Sequence, residues 1–479
     1  MRTHTTHLGL LTLTLLVILL VSLEATAGTP GEAKYDIHVS DVPMVGLRSP
    51  ALDRDNTMYV GGDDGIIYAI SSDGTVKWTY NTGSPVTTNA AIYYSPDNEH
   101  AQYNGTIYVG LQDGRVLALG PAGNLKWTCH AGSPINASPA LAADGTIYVG
   151  KELSVLLAIT PDGDQKWARA MPDSEEGIYD PVIDPHGTIY FGVRDDNHFY
   201  AYNPDGSQKW VTYVVNGARS AAALGKDGTI YFVTPLNLRA LWPSGDPKWR
   251  VFVGEFGDVD ATPVIGHQGM IYVSAHALNA INPDGTYGWV FWPGPGSPTP
   301  VVSSVAVDSN GLIYAVGALD KRIYCVAPGG TFVWSYYAGG LGHWPSCPVV
   351  GSDGLVYAAE YNQVRALYTG ATGPFDGPWP MYRQNAACNA RLDTLWSILS
   401  QLKDLAFFVA EADLGDRLKG QLVMRLKSAM QSLEAGHIRP TMHKVGAFIN
   451  HVEAQEGKKI PVEIADALIR YALDIITDN

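Results

Sequence analysis

The sequence predicts an all-β propeller of eight four-stranded antiparallel blades, followed by a small all-α domain. A tyrosine between apolar residues recurs at intervals of about 40 residues, which is a typical length for one propeller blade. Within each interval, Asp-Gly turns separate short apolar runs, as expected for several strands per unit. After Leu392 these strand signals stop and apolar residues follow a helical period. The eight tyrosines are Tyr59, Tyr108, Tyr148, Tyr190, Tyr231, Tyr272, Tyr314 and Tyr357.

The N-terminus carries the features of an export signal. Arg2 precedes an apolar run from Leu8 to Leu23, and Ala25-Thr26-Ala27 offers the small residues that a signal peptidase accepts. The alternative is a membrane anchor, because the run is just long enough to be considered. The threonines within the run and the adjacent cleavage motif favour a signal peptide over residues 1–27, with Gly28 first in the mature chain. With no cysteine at that site, a lipid anchor has no attachment point.

Charge and cysteine content narrow the function classes. The formal net charge is -15, which argues against a nucleic-acid partner because phosphates require a basic surface. The 4 cysteines are too few for a disulfide-built scaffold, and none belongs to a Cys-x-x-Cys pair. Cys325 occupies a slot that holds alanine in the other repeats, so we expect a buried small residue there. Whether Cys129 and Cys388 form disulfides stays open.

Each repeat contains the same four parts. The segment Ser138–Gly150 reads as two strands joined by an Asp-Gly turn, and a short third strand with an alanine follows. A second turn, as in Thr160–Trp167, leads to a fourth strand that opens with tryptophan. These tryptophans could form an aromatic platform for a ligand, but their fixed position favours packing of each blade against its neighbour. They are Trp78, Trp127, Trp167, Trp210, Trp249, Trp289 and Trp334.

The two ends of the repeat array complement each other. The eighth repeat lacks the usual Lys-Trp strand, while Ala33–Val39 ahead of the first repeat resembles that strand, with Tyr35 in the tryptophan position. We therefore predict that the N-terminal strand completes the last blade. This closes the ring and removes the exposed sheet edge.

The repeated pattern DGTIYVG, followed by LYAI- and PDG-KW-like segments, resembles the pyrroloquinoline quinone (PQQ) enzyme repeat of quinoprotein alcohol dehydrogenase-like propellers. The resemblance covers about residues 34–379 and implies the eight-bladed fold. It leaves activity open, because such families include quinoprotein dehydrogenases, an outer-membrane assembly lipoprotein and surface proteins without assigned chemistry. The chain has no adjacent cysteines and no match to the Glu-Asn-Asp calcium site of the dehydrogenases, so PQQ is not expected. The absent lipid-attachment cysteine disfavours the assembly-lipoprotein role.

The sequence divides into a signal peptide (1–27), a propeller (28–378), a linker (379–391) and a helical domain (392–479). The linker is irregular, and its WPMYRQN segment resembles a short motif that flanks such propellers. The helical domain contains about four helices, with one apolar stripe between Leu414 and Leu433 and another between Ile464 and Ile475. The segment Lys444–Ile460 resembles the FIMAH domain of bacterial surface and secreted proteins, which implies attachment or association.

A ligand site is predicted on one face of the propeller. Turns between strands one and two, and between three and four, are uniform Asp-Gly turns. The connections on the opposite face vary between repeats, which is where repeat proteins place binding residues. Acidic residues there could bind Ca²⁺ or another cation, or could form a solvated rim. The candidate ligand-binding residues are Asp173, Glu175, Glu176, Asp195, Asp196, His198, Asp258, Asp260, His343 and Trp344.

The sequence contains no recognisable catalytic constellation. It favours an exported, non-enzymatic binding scaffold whose partner is an extracellular or envelope protein or a polysaccharide. The alternative is an enzyme, either a degenerate quinoprotein-type oxidoreductase or a polysaccharide-active propeller. No cofactor is expected, although Ca²⁺ stays possible, and the expected location is secreted, periplasmic or on the cell surface.

Overall fold

A computed structural model provides the structure of the protein. The residues it describes are 28–40, 45–95, 100–171, 176–254, 261–275, 277–293, 303–317, 320–339, 346–376, 381, 385, 402, 405–406, 409, 414–434, 438–455, 459–461, 464–465, 468–469 and 472. The predicted signal peptide therefore lies outside the described residues.

Eight four-stranded antiparallel sheets form the blades of a propeller, as predicted. Blade 1 comprises β2 (Ala51–Leu52), β3 (Met58–Gly61), β4 (Ile66–Ile70) and β5 (Val76–Asn81). Blade 2 comprises β6 (Ala91–Ile92), β7 (Ile107–Gly110), β8 (Arg115–Leu119) and β9 (Leu125–His130). Blade 3 comprises β10 (Ile135–Leu141), β11 (Ile147–Lys151), β12 (Val155–Ile159) and β13 (Gln165–Ala170). Blade 4 comprises β14 (Val182–Ile183), β15 (Ile189–Gly192), β16 (His198–Tyr202) and β17 (Gln208–Tyr213).

The second half of the ring repeats this order. Blade 5 comprises β18 (Ala223–Leu224), β19 (Ile230–Val233), β20 (Asn237–Leu241) and β21 (Pro247–Phe252). Blade 6 comprises β22 (Val264–Ile265), β23 (Ile271–Ser274), β24 (Leu278–Ile281) and β25 (Tyr287–Phe291). Blade 7 comprises β26 (Ala306–Val307), β27 (Ile313–Val316), β28 (Arg322–Val326) and β29 (Phe332–Tyr337). Blade 8 comprises β30 (Val349–Val350), β31 (Leu355–Glu360), β32 (Gln363–Tyr368) and the N-terminal β1 (Ala33–His38).

The turn sequences explain why the strands reverse where they do. In the turn between β16 and β17, Gly206 adopts a φ of 80°, a backbone conformation that other residues resist. The carboxylate of Asp205 accepts the backbone N–H of Ser207 at 2.8 Å and fixes the turn locally. Related Asp-Gly turns recur between the third and fourth strands, so local chemistry sets the strand length of most blades.

Seven of the eight blades pack on the next through one tryptophan, and blade 8 uses Tyr35 instead. In blade 3, Trp167 lies opposite Ala158, its ring centre is 5.6 Å from that of Tyr148, and a Cβ on Gly206 of blade 4 would collide with it. Its indole Nε1 also donates to the carbonyl of Pro204 at 3.0 Å. The small alanine and glycine thus admit a large aromatic ring between two sheets. The same donation joins Trp78 to Pro121, Trp127 to Pro161, Trp210 to Pro243, Trp249 to Pro283 and Trp289 to Pro328.

The N-terminal strand closes the ring, as the sequence predicts. Strand β1 pairs antiparallel with β32, and Tyr35 lies opposite Ala366, in the position that tryptophan holds in the other blades. In the other blades a turn connects the third strand to the fourth. In blade 8 these two strands come from opposite ends of the propeller, and the Gly31 N–H donates to the Tyr368 carbonyl at 2.8 Å. Cys325 is fully buried opposite Trp334 and carries a free thiol, as expected for a small-residue slot.

The chain that follows the last blade contacts blade 7. The backbone N–H of Phe375 donates to the Val307 carbonyl at 2.9 Å, and Met381 forms an isolated bridge with Ala306. Met381 is fully buried. The start of the predicted linker is therefore attached to the inner strand of blade 7.

The C-terminal region is helical, as predicted. Helix α1 spans Asp416–Glu434 and helix α2 spans Ile438–Gln455. Leu418, Leu422 and Leu426 lie at four-residue spacing along α1 and are buried against a core that includes Phe448 of α2. Among the described residues, no helix is both long and apolar enough to cross a membrane.

Candidate functional site

The strand order assigns two distinct faces to the propeller. We call the face with the turns between strands one and two, and three and four, the uniform face. The variable face carries the turns between strands two and three and the links between blades. Of the predicted ligand-binding residues, the structure describes Glu176, Asp195, Asp196 and His198. The others, which lie outside the described residues, are Asp173, Glu175, Asp258, Asp260, His343 and Trp344.

Asp196 is the centre of a hydrogen-bonded group on the variable face of blade 4. Its Oδ1 lies 2.6 Å from Nδ1 of His198, and its Oδ2 accepts the hydroxyl of Tyr200 at 2.6 Å. The side chain of Asp196 is 9% exposed, whereas that of His198 is 40% exposed. The ring of His198 also meets the ring of Tyr213 edge-on at 5.6 Å. A buried carboxylate thus orients an imidazole that solvent can reach.

The link from blade 3 borders this group. The backbone N–H of Arg194 donates to the Gly177 carbonyl at 2.9 Å, and the Arg194 guanidinium lies 4.4 Å from the ring centre of Tyr179. Glu176 in the link and Asp195 in the turn are both exposed. The structure therefore places Glu176 and the turn of Asp195 in two adjacent connections on one face.

Other blades share one hydrogen bond of the Asp196 group but not its imidazole. The carboxylate of Asp64 accepts the Tyr68 hydroxyl at 2.6 Å in blade 1, and Asp320 accepts the Tyr324 hydroxyl in blade 7. The Asp196–Tyr200 pair is thus a recurrent turn-stabilising device. The imidazole of His198 replaces Ile66 of blade 1 and Arg322 of blade 7, and it is the feature particular to blade 4.

The inner strands contribute a ring of mostly polar residues. Backbone N–H groups on one blade donate to side chains on the next: Ser49 to Asn89 at 2.8 Å, Ser138 to Asp180 at 2.7 Å, and Cys347 to Ser49 at 2.9 Å. The sequence contains this pattern, because in most blades the residue two positions before the inner strand is polar. Burial raises the pKa of the Cys347 thiol, which keeps it protonated and weakly nucleophilic at neutral pH.

The ring is interrupted in blade 5, where Ala221 offers no side-chain acceptor. In the neighbouring blade the hydroxyl of Thr262 is buried and has no hydrogen-bond partner among the described residues. The remaining polar groups mainly bond to one another across blades. The ring therefore holds the inner strands together.

A small cavity of about 10 Å³, the space of roughly one water molecule, lies between blades 7 and 8. Its polar lining includes Lys321, Ser346, Glu360 and Arg365. Arg365 is 1% exposed and donates to Glu360 at 3.2 Å and to Asp36 at 3.1 Å. Both carboxylates are thus used to neutralise the arginine, as a buried charge requires.

The described residues do not form a metal centre. Within them, no three His, Cys, Asp or Glu side chains converge in a way that could hold a metal ion. The His198–Asp196 pair has the geometry of an oriented hydrogen-bonding group, and it stands next to an exposed tyrosine.

Sequence comparison places this repeated scaffold in a known family. Residues 40–134 and 112–281 match the PQQ-like repeat family described as outer membrane protein assembly factor BamB, and residues 399–477 match the FIMAH domain. The chain belongs to the BamB-like family of PQQ-repeat propellers. None of the curated proteins matches it significantly.

Solved structures support the same fold for this BamB-like chain. BamB from Moraxella catarrhalis is 15% identical with a TM-score of 0.54, and the match covers 70% of this chain and 98% of that chain. The computationally designed Ika8 protein is 13% identical with a TM-score of 0.55, and the match covers 69% of this chain and 99% of that chain. At these identities the likeness concerns the fold alone.

Proposed function

We propose that this BamB-like propeller is an exported, non-enzymatic scaffold that binds a macromolecular partner through its variable face. The observation that carries the proposal is the group formed by Asp196, His198 and Tyr213. It presents an oriented imidazole and an aromatic ring to solvent. An acceptor or donor held beside an exposed ring suits recognition of polar partners.

The uniform face is less suited to binding a partner, because its turns hold neighbouring blades together. Its turns are occupied in holding blades together, as where Trp167 donates to Pro204 and Arg169 donates to the Gly206 carbonyl at 2.8 Å. Variation of the connections on the other face leaves the ring intact, which is how repeat scaffolds acquire binding surfaces.

The family description and the N-terminal sequence bear on location and partner. An assembly factor works by contacting other proteins, so membership in a BamB-like family favours an interaction role over catalysis. The apolar run and the Ala25-Thr26-Ala27 motif favour export to the periplasm, cell surface or medium. A mature chain that begins at Gly28, read by N-terminal sequencing, is the expected mark of that export.

We also propose that the protein needs no resident cofactor. PQQ is not expected because the chain lacks the sequence features of quinoprotein dehydrogenases, and the acidic residues of the variable face act as a solvated rim. The FIMAH-like domain would then attach the scaffold to a surface or to a second component.

A site-specific cross-linking experiment tests the binding face. A photo-reactive amino acid replaces Asp195 on the variable face, or Asp205 on the uniform face of the same blade. Both residues are exposed, so they form a matched pair. We expect the full mature chain to cross-link a macromolecule of the envelope or extracellular fraction from position 195 alone. Equal yields at both positions, or none at either, would contradict the proposal.

A further inference from the structure

Every blade exposes one residue at or just after the end of its outer strand, three positions after the blade tryptophan or, in blade 8, after Tyr35. In blades 8, 1, 2 and 3 this residue is polar or small. In blades 4, 5, 6 and 7 it is aromatic. The residues are His38, Asn81, His130 and Ala170 in the first group and Tyr213, Phe252, Trp292 and Tyr337 in the second.

Burial does not explain the aromatic half of this rim. Tyr213 is 63%, Phe252 59%, Trp292 61% and Tyr337 57% exposed. Aromatic residues make up 10% of the sequence, so four in consecutive blades at one exposed position exceed what composition predicts. An exposed apolar surface confined to one half of a rim indicates an interaction surface.

The aromatic rings are accompanied by polar groups. The imidazole of His198 contacts the ring of Tyr213 at 5.6 Å, and the Arg322 guanidinium lies 5.8 Å from the ring centre of Tyr337. Arg250 is exposed two residues before Phe252. Tyr213 and Tyr337 therefore each combine an apolar ring face with a neighbouring polar side chain.

We propose that this aromatic half-rim binds a neutral polysaccharide. The C–H face of a pyranose ring stacks on an aromatic ring, while its hydroxyls bond to neighbouring His and Arg side chains. One ring per blade, repeated along an arc, suits a polymer of repeated units. The inference rests on the proposed function and names the ligand class of the variable-face side of the scaffold.

Charge selects against other polymers and surfaces. The net charge of -15 belongs to the chain as a whole, and it opposes the long-range approach of acidic polysaccharides and of the anionic headgroups of a bilayer. A stable protein interface would favour a continuous apolar core, whereas these rings stand on separate strands. A neutral polymer is not repelled by the negative charge of the chain, and it is long enough to contact several rings.

Affinity electrophoresis of the full mature chain provides the test. The gels contain a neutral β-glucan, galactomannan or xylan, or alginate as the acidic counterpart. Two variants are compared: Tyr213→Ser with Trp292→Ser, and the control Asn81→Ser with His130→Ser at the same strand position. We expect at least one neutral polymer to retard the wild type, an affinity loss of about tenfold or more in the aromatic variant, and no change in the control.

The outcomes separate this inference from the proposed function. Retardation by alginate alone, binding to phosphatidylcholine vesicles alone, or equal losses in both variants would overturn it. If no neutral polymer retards the chain while position 195 still cross-links an envelope component, the polysaccharide inference fails and the scaffold function stands. Melting curves of both variants that match the wild type show that the comparison concerns binding and not folding.

Discussion

The guanidinium Nε of Arg365 donates to Oδ2 of Asp36 at 3.1 Å and joins the last strand of the repeat array to the first strand of the described chain. The side chain of Arg365 is 1% exposed and that of Asp36 is 31% exposed. Arg365 also donates to Glu360 and to the Ala338 carbonyl, so it links the closing strand to blade 7. The ring is thus closed by a buried charge as well as by backbone pairing.

Removal of this arginine should destabilise the propeller strongly. We expect Arg365→Met to lower the free energy of unfolding by about 3–5 kcal/mol, because carboxylates in a buried site lose their counter-charge. In the exposed pair of Lys166 and Asp144, Lys166→Met should cost about 1 kcal/mol or less. Urea unfolding of the two variants measures both values. Equal losses would mean that Arg365 contributes no more than a surface ion pair.

Deletion of the closing strand should weaken the whole ring. Without residues 28–40, β32 becomes an exposed edge and the backbone bonds from β1 are lost. We expect a lower melting temperature and a more aggregation-prone chain. A peptide of residues 28–40, added at about a hundred times its dissociation constant, should restore about 2.7 kcal/mol. An unchanged melting temperature in the deleted chain would show that closure does not depend on this strand.

The indole hydrogen bond between blades can be isolated by comparing two tryptophans. Trp127 donates to the Pro161 carbonyl at 2.8 Å, whereas the buried Nε1 of Trp334 has no acceptor among the described residues. Both rings contact a tyrosine of their own blade at nearly the same distance. We expect Trp127→Phe to cost about 1 kcal/mol more than Trp334→Phe in chemical unfolding. Similar costs would assign the tryptophan's role to packing alone.

The sequence predicts the fold well because its repeat is set by local chemistry. Asp-Gly turns, the alternation of buried residues and the tryptophan position all recur, and Tyr35 could be placed by the same pattern before its pairing with β32 was known. The site was harder to predict. The contact of His198 with Tyr213 depends on strand register, and a charged residue such as Arg365 is normally expected at the surface. The aromatic half-rim could not be predicted from the sequence, because its definition requires the exposure of side chains at the end of the fourth strand.

Alkaline pH should destabilise the blades through their buried tyrosines. Burial raises the pKa of Tyr231 and of Tyr272 to about 12, against a value near 10 in an unfolded chain. The folded state thus prefers the protonated hydroxyls. The stability they provide is complete below about pH 10 and falls as pH rises toward about 12, by about 1.4 kcal/mol for each unit of pKa difference.

Urea unfolding at about pH 9 and about pH 11 measures this loss, with tyrosinate absorbance near 295 nm as the readout. Ionisation of the buried tyrosines should accompany unfolding and not precede it. The variant Tyr231→Phe removes one titrating group, so its stability should fall less steeply with pH. A wild-type slope equal to that of Tyr231→Phe would exclude Tyr231 as a contributor.

A melt with added ligands tests the proposal that the scaffold has no resident cofactor. Ligand at about a hundred times its dissociation constant stabilises a fold by about 2.7 kcal/mol, a change that a thermal melt resolves. We expect no shift of the full mature chain with Ca²⁺, and none with Ca²⁺ plus PQQ, if the acidic residues form a solvated rim as proposed. A Ca²⁺ shift that Asp195→Asn abolishes and Asp205→Asn retains would instead assign a cation site to the variable face. A further shift on adding PQQ would show that the folded chain binds the quinone, because only a ligand of the folded state raises the melting temperature. Quinone-dependent oxidation would then be the activity to assay.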